Sequence, residues 1–219
     1  MLVRIVNSGS DGNCIVVEDN NKNQILLDCG LPYETIAKNC NLGKLNGVFA
    51  THFHQDHSKS FDKFEKFGFD TFSPKNIQDG KIIDLPNWKI MPMKLVHNVE
   101  CFGFLILNKI ENKKIVYCTD TTYLPKVGNA DLFILDCNYD EEIVFDKMTK
   151  GEEVNIGYRN HCSTQKIAEY IHELGFKPKN LVAYHLSNSQ LQSIQKIQET
   201  LSPLVENLHI AKPNTEISV

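Results

Sequence analysis

Thr51-His52-Phe53-His54-Gln55-Asp56-His57 places three histidines and one carboxylate directly behind the apolar run Val48-Phe49-Ala50. That run reads as the end of a buried strand. In extended chain the side chains alternate in direction, so His52 and His54 point the same way and can grip one metal ion. The chain then turns, and Asp56 and His57 can address a second ion close by. Neutral imidazole and carboxylate suit zinc and similar borderline cations, whereas calcium and magnesium call for oxygen-rich sites. The other reading is a histidine-rich surface loop. Four ligand-type residues at this spacing, behind a strand, weigh against it.

Working outward, strand patterns are expected at residues 2–6, 14–18 and 24–28, the last two joined by a polar hairpin. The first runs into Asn7-Ser8-Gly9-Ser10-Asp11-Gly12-Asn13, a tight turn with exposed amides. Asp28 ends an apolar run just before Cys29-Gly30, where it either orients metal ligands from behind or serves as a turn former. A short helix is expected at 33–39, and the strand 47–50 feeds the histidine stretch. Beyond it Phe61, Phe64 and Phe67 recur at helical spacing and are expected to anchor a helix in the core. Further strands are expected at 81–84, 88–96, 103–107, 114–118, 131–136, 180–184 and 208–211. Helices are expected at 163–174, stopped by Gly175, and at 190–201, with Leu191, Ile194, Ile197 and Leu201 facing inward. With no low-complexity linker or composition break, residues 1–219 read as one domain, α+β in class, with two mixed sheets face to face and helices outside.

The 219 residues suffice for a substantial core, and 42% hydrophobic content is ordinary for a globular protein. No apolar run approaches membrane-spanning length, and the N-terminal residues lack a signal-peptide layout. The formal net charge of −4 means that any nucleic-acid substrate is held by a local patch rather than a broad basic surface. The seven cysteines are scattered without a CxxC pair, which reads as reduced, packed thiols in a cytoplasmic protein. The pairs Glu141-Glu142 and Glu152-Glu153 read as solvated faces. His172 and His209 read as surface or edge residues.

A two-ion site needs more ligands than the opening stretch supplies. His97, Asp120 and His185 each follow an apolar strand, where sheets commonly present functional groups. Any one alone reads equally as a satisfied polar residue near a turn; together with the histidine stretch they make a coherent set. The pattern His52-x-His54-x-Asp56-His57, then His97, Asp120 and His185, with Asp28-Cys29-Gly30 upstream, resembles the metallo-β-lactamase superfamily across nearly the whole chain. The resemblance implies a four-layer αββα sandwich with two divalent ions, zinc or manganese, at one edge. Position by position it implies that His52, His54 and His97 hold the first ion. Asp56, His57 and His185 would hold the second, and Asp120 would bridge them.

The segment from His97 to Phe104 is similar to one in ribonuclease Z-type phosphodiesterases, and His161-Cys162-Ser163-Thr164 resembles their additional histidine motif. The loop from Ser8 to Asn13 and the ending His185-Leu186-Ser187 look more like the YycJ-like (WalJ-like) exonucleases. No long insertion matches the tRNA-gripping arm of ribonuclease Z, and Tyr139 stands where a histidine is expected in the YycJ-like group. These likenesses imply a hydrolase that cleaves phosphodiester bonds of nucleic acid or nucleotides, cyclic nucleotides included, through a metal-bridging hydroxide. Many such relatives dimerise, so a homodimer is one expectation, with oligomeric state left open by the residues. Asp56 and Asp120 belong to the catalytic set, together with His161 as proton donor or phosphate contact at a helix start whose amides favour an anion. For His161 a helix cap is the alternative. The same ligand set could instead hydrolyse a thioester, lactone or β-lactam. A non-catalytic or redox di-iron module is disfavoured, since His54 stands where the flavo-di-iron relatives carry glutamate.

Overall fold

The computed structural model describes residues 1–188 and 190–219. Its elements follow in the order β1 (Leu2–Asn7), β2 (Cys14–Glu18), β3 (Gln24–Leu27), α1 (Tyr33–Asn39), β4 (Leu45–Phe49), α2 (Gln55–Ser58) and α3 (Phe61–Lys66). Then come β5 (Thr71–Phe72), β6 (Ile83–Asp84), β7 (Trp88–Leu95), β8 (Cys101–Asn108), β9 (Lys113–Cys118) and β10 (Leu132–Asp136). The chain closes with α4 (Glu141–Thr149), α5 (Thr164–Leu174), β11 (Asn180–Tyr184), α6 (Ile194–Leu201), β12 (Asn207–Ile210) and β13 (Thr215–Ser218).

The strands form a six-stranded sheet, β13-β1-β2-β3-β4-β5, and a seven-stranded sheet, β12-β11-β10-β9-β8-β7-β6. Strand alternation sorts side chains between two interfaces. Ile15 and Val17 of β2 meet Leu132 and Ile134 of β10 in the core between the sheets. Their neighbours Cys14 and Val16 turn outward onto Ile36 of α1 and Phe61 and Phe64 of α3. On the other side Phe133 and Leu135 pack on Ile167 and Ile171 of α5 and Ile197 of α6. The result is the expected α+β, four-layer αββα sandwich. Because both faces of the central strands are buried, they read in sequence as continuous apolar runs.

Strand direction decides where the functional residues gather. In the first sheet β3 and β4 are parallel, and β1 shares their direction through two antiparallel pairings. In the second sheet β9, β10 and β11 are parallel, and β7 shares their direction through β8. The chain therefore leaves β1, β3, β4, β7, β9, β10 and β11 at one common edge of the sandwich.

Several expectations are corrected. The helix expected at 190–201 starts only at Ile194, capped by Ser193, because Gln190 adopts a left-handed φ of 58°. Leu191 is buried nonetheless, outside the helix, whereas Ile194, expected to face inward, is exposed. Phe67 lies beyond the end of α3, 54% exposed, and meets only the edge of Tyr33, while Phe61 and Phe64 are core residues as expected. The strand expected at 81–84 is reduced to Ile83–Asp84. Helix α4 gave no periodic signal, since Val144 is its one buried residue and Phe145 and Met148 are exposed. It stands on its cap: Asp140 accepts from the Ile143 amide. All seven cysteines are free and buried. Among the described residues no helix is long and apolar enough to cross a membrane.

Candidate metal centre

The segment after β4 delivers the first ligands without further regular strand. His52 Nε2 lies 3.0 Å from His54 Nδ1, while Phe53 between them faces outward. His97, after β7, brings its Nε2 to 3.3 Å from His54 Nδ1. Asp120, after β9, sets Oδ2 at 3.8 Å from His52 Nε2 and 4.0 Å from His97 Nε2. Its other oxygen, Oδ1, is 3.2 Å from His57 Nε2 and 3.5 Å from His185 Nε2. Asp56 Oδ2 completes that second group at 3.5 Å from both His57 and His185. All seven expected ligands thus converge, His52, His54 and His97 beside one Asp120 oxygen and His57 and His185, with Asp56, beside the other.

Three residues at strand exits adopt left-handed backbone: Asp28 (φ 56°), Asp120 (φ 53°) and His185 (φ 56°). Non-glycine residues rarely do so, and the strain at each exit is held by the surrounding structure. The sharp turn swings each side chain off its sheet and into the cleft between the sheets. Gly30 permits the matching approach from below. A Cβ there would fall 1.7 Å from the Asp56 carbonyl oxygen, so no other residue lets the Asp28-Cys29-Gly30 turn lie against α2.

Behind the ligands a buried network sets the rings. Asp28 Oδ2 accepts from His57 Nδ1 at 2.8 Å and from the Tyr117 hydroxyl at 2.6 Å, and Oδ1 accepts from the Thr51 amide at 2.8 Å. The Thr51 hydroxyl also donates to Asp28 and lies 3.0 Å from His52 Nδ1. His97 Nδ1 donates to the Asn160 carbonyl at 3.3 Å. With their δ nitrogens engaged, His52, His57 and His97 turn their ε nitrogens to the cleft, the tautomer a ligand requires. Of the two roles the sequence left open for Asp28, it takes the orienting one.

Sequence reasoning missed four supporting residues. Asn13 is fully buried, and its amide reaches His57 Nε2 at 2.9 Å. Tyr117 and Thr51 hold Asp28. Asp136, last residue of β10, accepts from His161 Nδ1 at 2.9 Å and from the Thr121 amide at 3.1 Å. Only Asp136 carried a usable signal, an acidic residue ending an apolar strand, as at Asp28. His161 itself is not in the first turn of α5. Ser163 caps that helix through the Lys166 amide, and the Thr164 amide is bonded to Tyr139. The expected anion seat at the helix start is therefore largely filled by protein groups. His161 faces the cleft instead, with its donor atom grouped with those of Asp120 and His185.

The electrostatics follow from burial and crowding. Burial, then neighbouring imidazoles, pull His52 down to about 2, and burial lowers His97. Burial opposes the charge on His57, but Asp120 and Asp28 outweigh it and hold that ring well above its usual value. Burial likewise opposes ionisation of Asp120 and Asp56, yet His185 and His57 keep both carboxyls well below the usual range. For His161 burial again opposes charge, and Asp136 prevails, raising it to about 9.

These residues fit a pair of divalent cations. Donors roughly 2.0–2.1 Å from one zinc at tetrahedral angles lie about 3.3–3.4 Å apart, close to the separations within both groups. The His185 ε nitrogen is buried without a hydrogen-bond partner among the described residues, between two carboxylates, as a group awaiting a cation would be. A His/Asp centre with a shared carboxylate at the edge of an αββα sandwich is an arrangement suited to metal-assisted hydrolysis.

Comparison with known proteins agrees. Residues 8–68 match the family model described as the metallo-beta-lactamase superfamily. The metallo-beta-lactamase fold protein YhfI from Bacillus subtilis superposes with a TM-score of 0.74 at 17% identity, over 99% of this chain and 98% of that one. Human tRNase Z, short form, superposes with a TM-score of 0.68 at 18% identity, over 100% and 99% of the two chains. A diphosphatase from the PhnP family gives 0.69 at 14% identity, over 100% and 97%. No curated protein sequence matches. The chain thus has the metallo-β-lactamase fold over its whole length, and residues 8–68 match that superfamily's model.

Proposed function

We propose that the protein is a cytoplasmic phosphodiesterase that cleaves nucleotides or nucleic acid with two zinc or manganese ions. One observation supports this above others. Asp120 turns separate oxygens to two donor groups, while a sixth histidine, His161, is fixed by Asp136 at the same cleft, its donor atom beside those of Asp120 and His185. Bound cations would supply a deprotonated water near neutral pH and offset charge on the phosphoryl oxygens. His52, His54 and His97 would hold one cation, Asp56, His57 and His185 the other, and Asp120 both.

The chain's own residues do the rest. Asp28 and Thr51 hold imidazoles in place through their δ nitrogens, so little reorganisation is needed during the reaction. Asp136 strengthens the hold of His161 on a proton, and the ring faces the cleft where a phosphodiester anion would sit. From there it donates a proton to the departing alkoxide or contacts a phosphoryl oxygen. A neutral carbonyl substrate would gain less from that contact.

Metal-loaded protein is expected to hydrolyse bis-p-nitrophenyl phosphate and to leave a thioester largely untouched. Thioester cleavage without phosphodiester cleavage would overturn the assignment. His161→Ala is expected to lower kcat about 10²-fold or more with metal content unchanged. A fully active variant would remove His161 from the reaction.

A further inference from the structure

Beside His161 lies a pocket of about 340 Å³. Ser10, Asn138, Asn155, Tyr158 and Asn188 line it, and His161 forms its border with the ligand cluster. The volume lies within the range of small-ligand pockets, about 300–1,000 Å³. Among the described lining residues there is no lysine, arginine, aspartate or glutamate.

That chemistry is selective. Carboxamides offer both donors and acceptors, the combination that pairs with nucleobase edges. Tyr158 adds a ring wall, steadied edge-to-face by Tyr139 at 4.9 Å. Asn138 is tied to the site, since its amide donates to the His185 carbonyl at 2.9 Å. The loop from Ser8 to Asn13 is tied in as well, because the His185 amide donates to the Ser8 hydroxyl at 2.9 Å. A strand of nucleic acid running through the pocket would bring further phosphates, and these need rows of lysine or arginine. Its described lining residues include none.

We infer that this pocket seats one uncharged nucleoside, so that the substrate is a small nucleotide or the terminal nucleotide of a strand, with a single phosphate at the Asp120 cluster. The inference rests on the phosphodiesterase reading for the phosphate. Base and ribose are recognised by the amides and Tyr158, and His161 marks the boundary between nucleoside and phosphate. Internal phosphodiesters, flanked by charge on both sides, are disfavoured.

Calorimetric titration of the metal-loaded protein with adenosine 5′-monophosphate, uridine 5′-monophosphate and methyl phosphate tests this without turnover. Stacking and amide contacts predict that at least one nucleotide binds about tenfold or more tightly than methyl phosphate. Asn188→Ala is expected to move that ratio toward one. Asn155→Ser should do the same while keeping a side-chain oxygen for the Gly157 amide, which Asn155 now caps at 2.9 Å. Equal affinity for nucleotides and methyl phosphate in the unaltered protein, or an unaltered ratio in both variants, would overturn the assignment. Hexaadenylate tests whether one nucleoside or an extended strand is held. Affinity close to that of the mononucleotide supports a single seat, and a hundredfold gain that fades with salt would overturn it in favour of an extended strand. Nucleotide binding without turnover of bis-p-nitrophenyl phosphate would sink the catalytic reading and leave the pocket standing.

Discussion

Asp28 and Asp120 are the same residue in the same backbone conformation, each just past the end of a central strand, one in each sheet. Their surroundings differ. Asp28 is fully buried and accepts from the Thr51 amide and hydroxyl, the Tyr117 hydroxyl and His57 Nδ1. Asp120 receives a hydrogen bond from the Thr119 hydroxyl and otherwise looks onto the ε nitrogens of His52, His57, His97 and His185. A carboxylate saturated by protein donors has nothing left to offer a cation. One surrounded by ring nitrogens that need a common positive partner has most of its capacity left. Donor count, rather than residue type or position, separates support from ligand.

The largest effect expected from this contrast is at Asp120. Asp120→Asn should lower turnover about 10³-fold or more and reduce bound metal below two per chain, read by elemental analysis and steady-state kinetics. Two retained metals with near-normal kcat would erase the distinction. Asp28→Asn replaces an acceptor with a group that is half donor, facing four donors. Metal affinity should fall about 10- to 100-fold while both sites still fill at high metal concentration. If Asp28→Asn instead blocks filling altogether, Asp28 is more than a support.

Chelation sharpens the same comparison through stability. Free metal at about 100 times its dissociation constant contributes about 2.7 kcal/mol to folding. The melting-temperature gap between loaded and stripped protein should nearly close in Asp120→Asn and only narrow in Asp28→Asn. The smallest effect belongs to Tyr117→Phe. It removes one hydrogen bond to Asp28, costs about 1.5 kcal/mol in denaturant unfolding, and leaves metal content unchanged. A larger loss of metal than of stability would show that Tyr117 acts on the ligands and not only on Asp28.

The ligand set was legible in the sequence for a local reason. His52, His54, Asp56 and His57 lie within one short segment behind a strand, and His97, Asp120 and His185 each end an apolar run. Their supports were not. Tyr117 lies inside a buried strand, where an aromatic residue signals packing, and its hydroxyl meets Asp28 only because the two sheets face each other. Asn13 reads as a turn residue until the β1–β2 connection folds over α2.

The two helices show the same division. Helix α5 announced itself through Ser163, a spaced apolar face and Gly175, all local features. Helix α4 has a cap and almost no buried face, so nothing periodic marked it. Sequence alone determined the layered α+β architecture, the seven candidate ligands and the edge at which they emerge. Those depend on patterning and on what each side chain can bind. Tertiary structure alone decided which of its two open roles Asp28 takes, that Tyr117 and Asn13 join the network, that Asp136 claims His161 and that a neutral pocket opens beside it. These depend on distances between residues far apart along the chain, which no local pattern records.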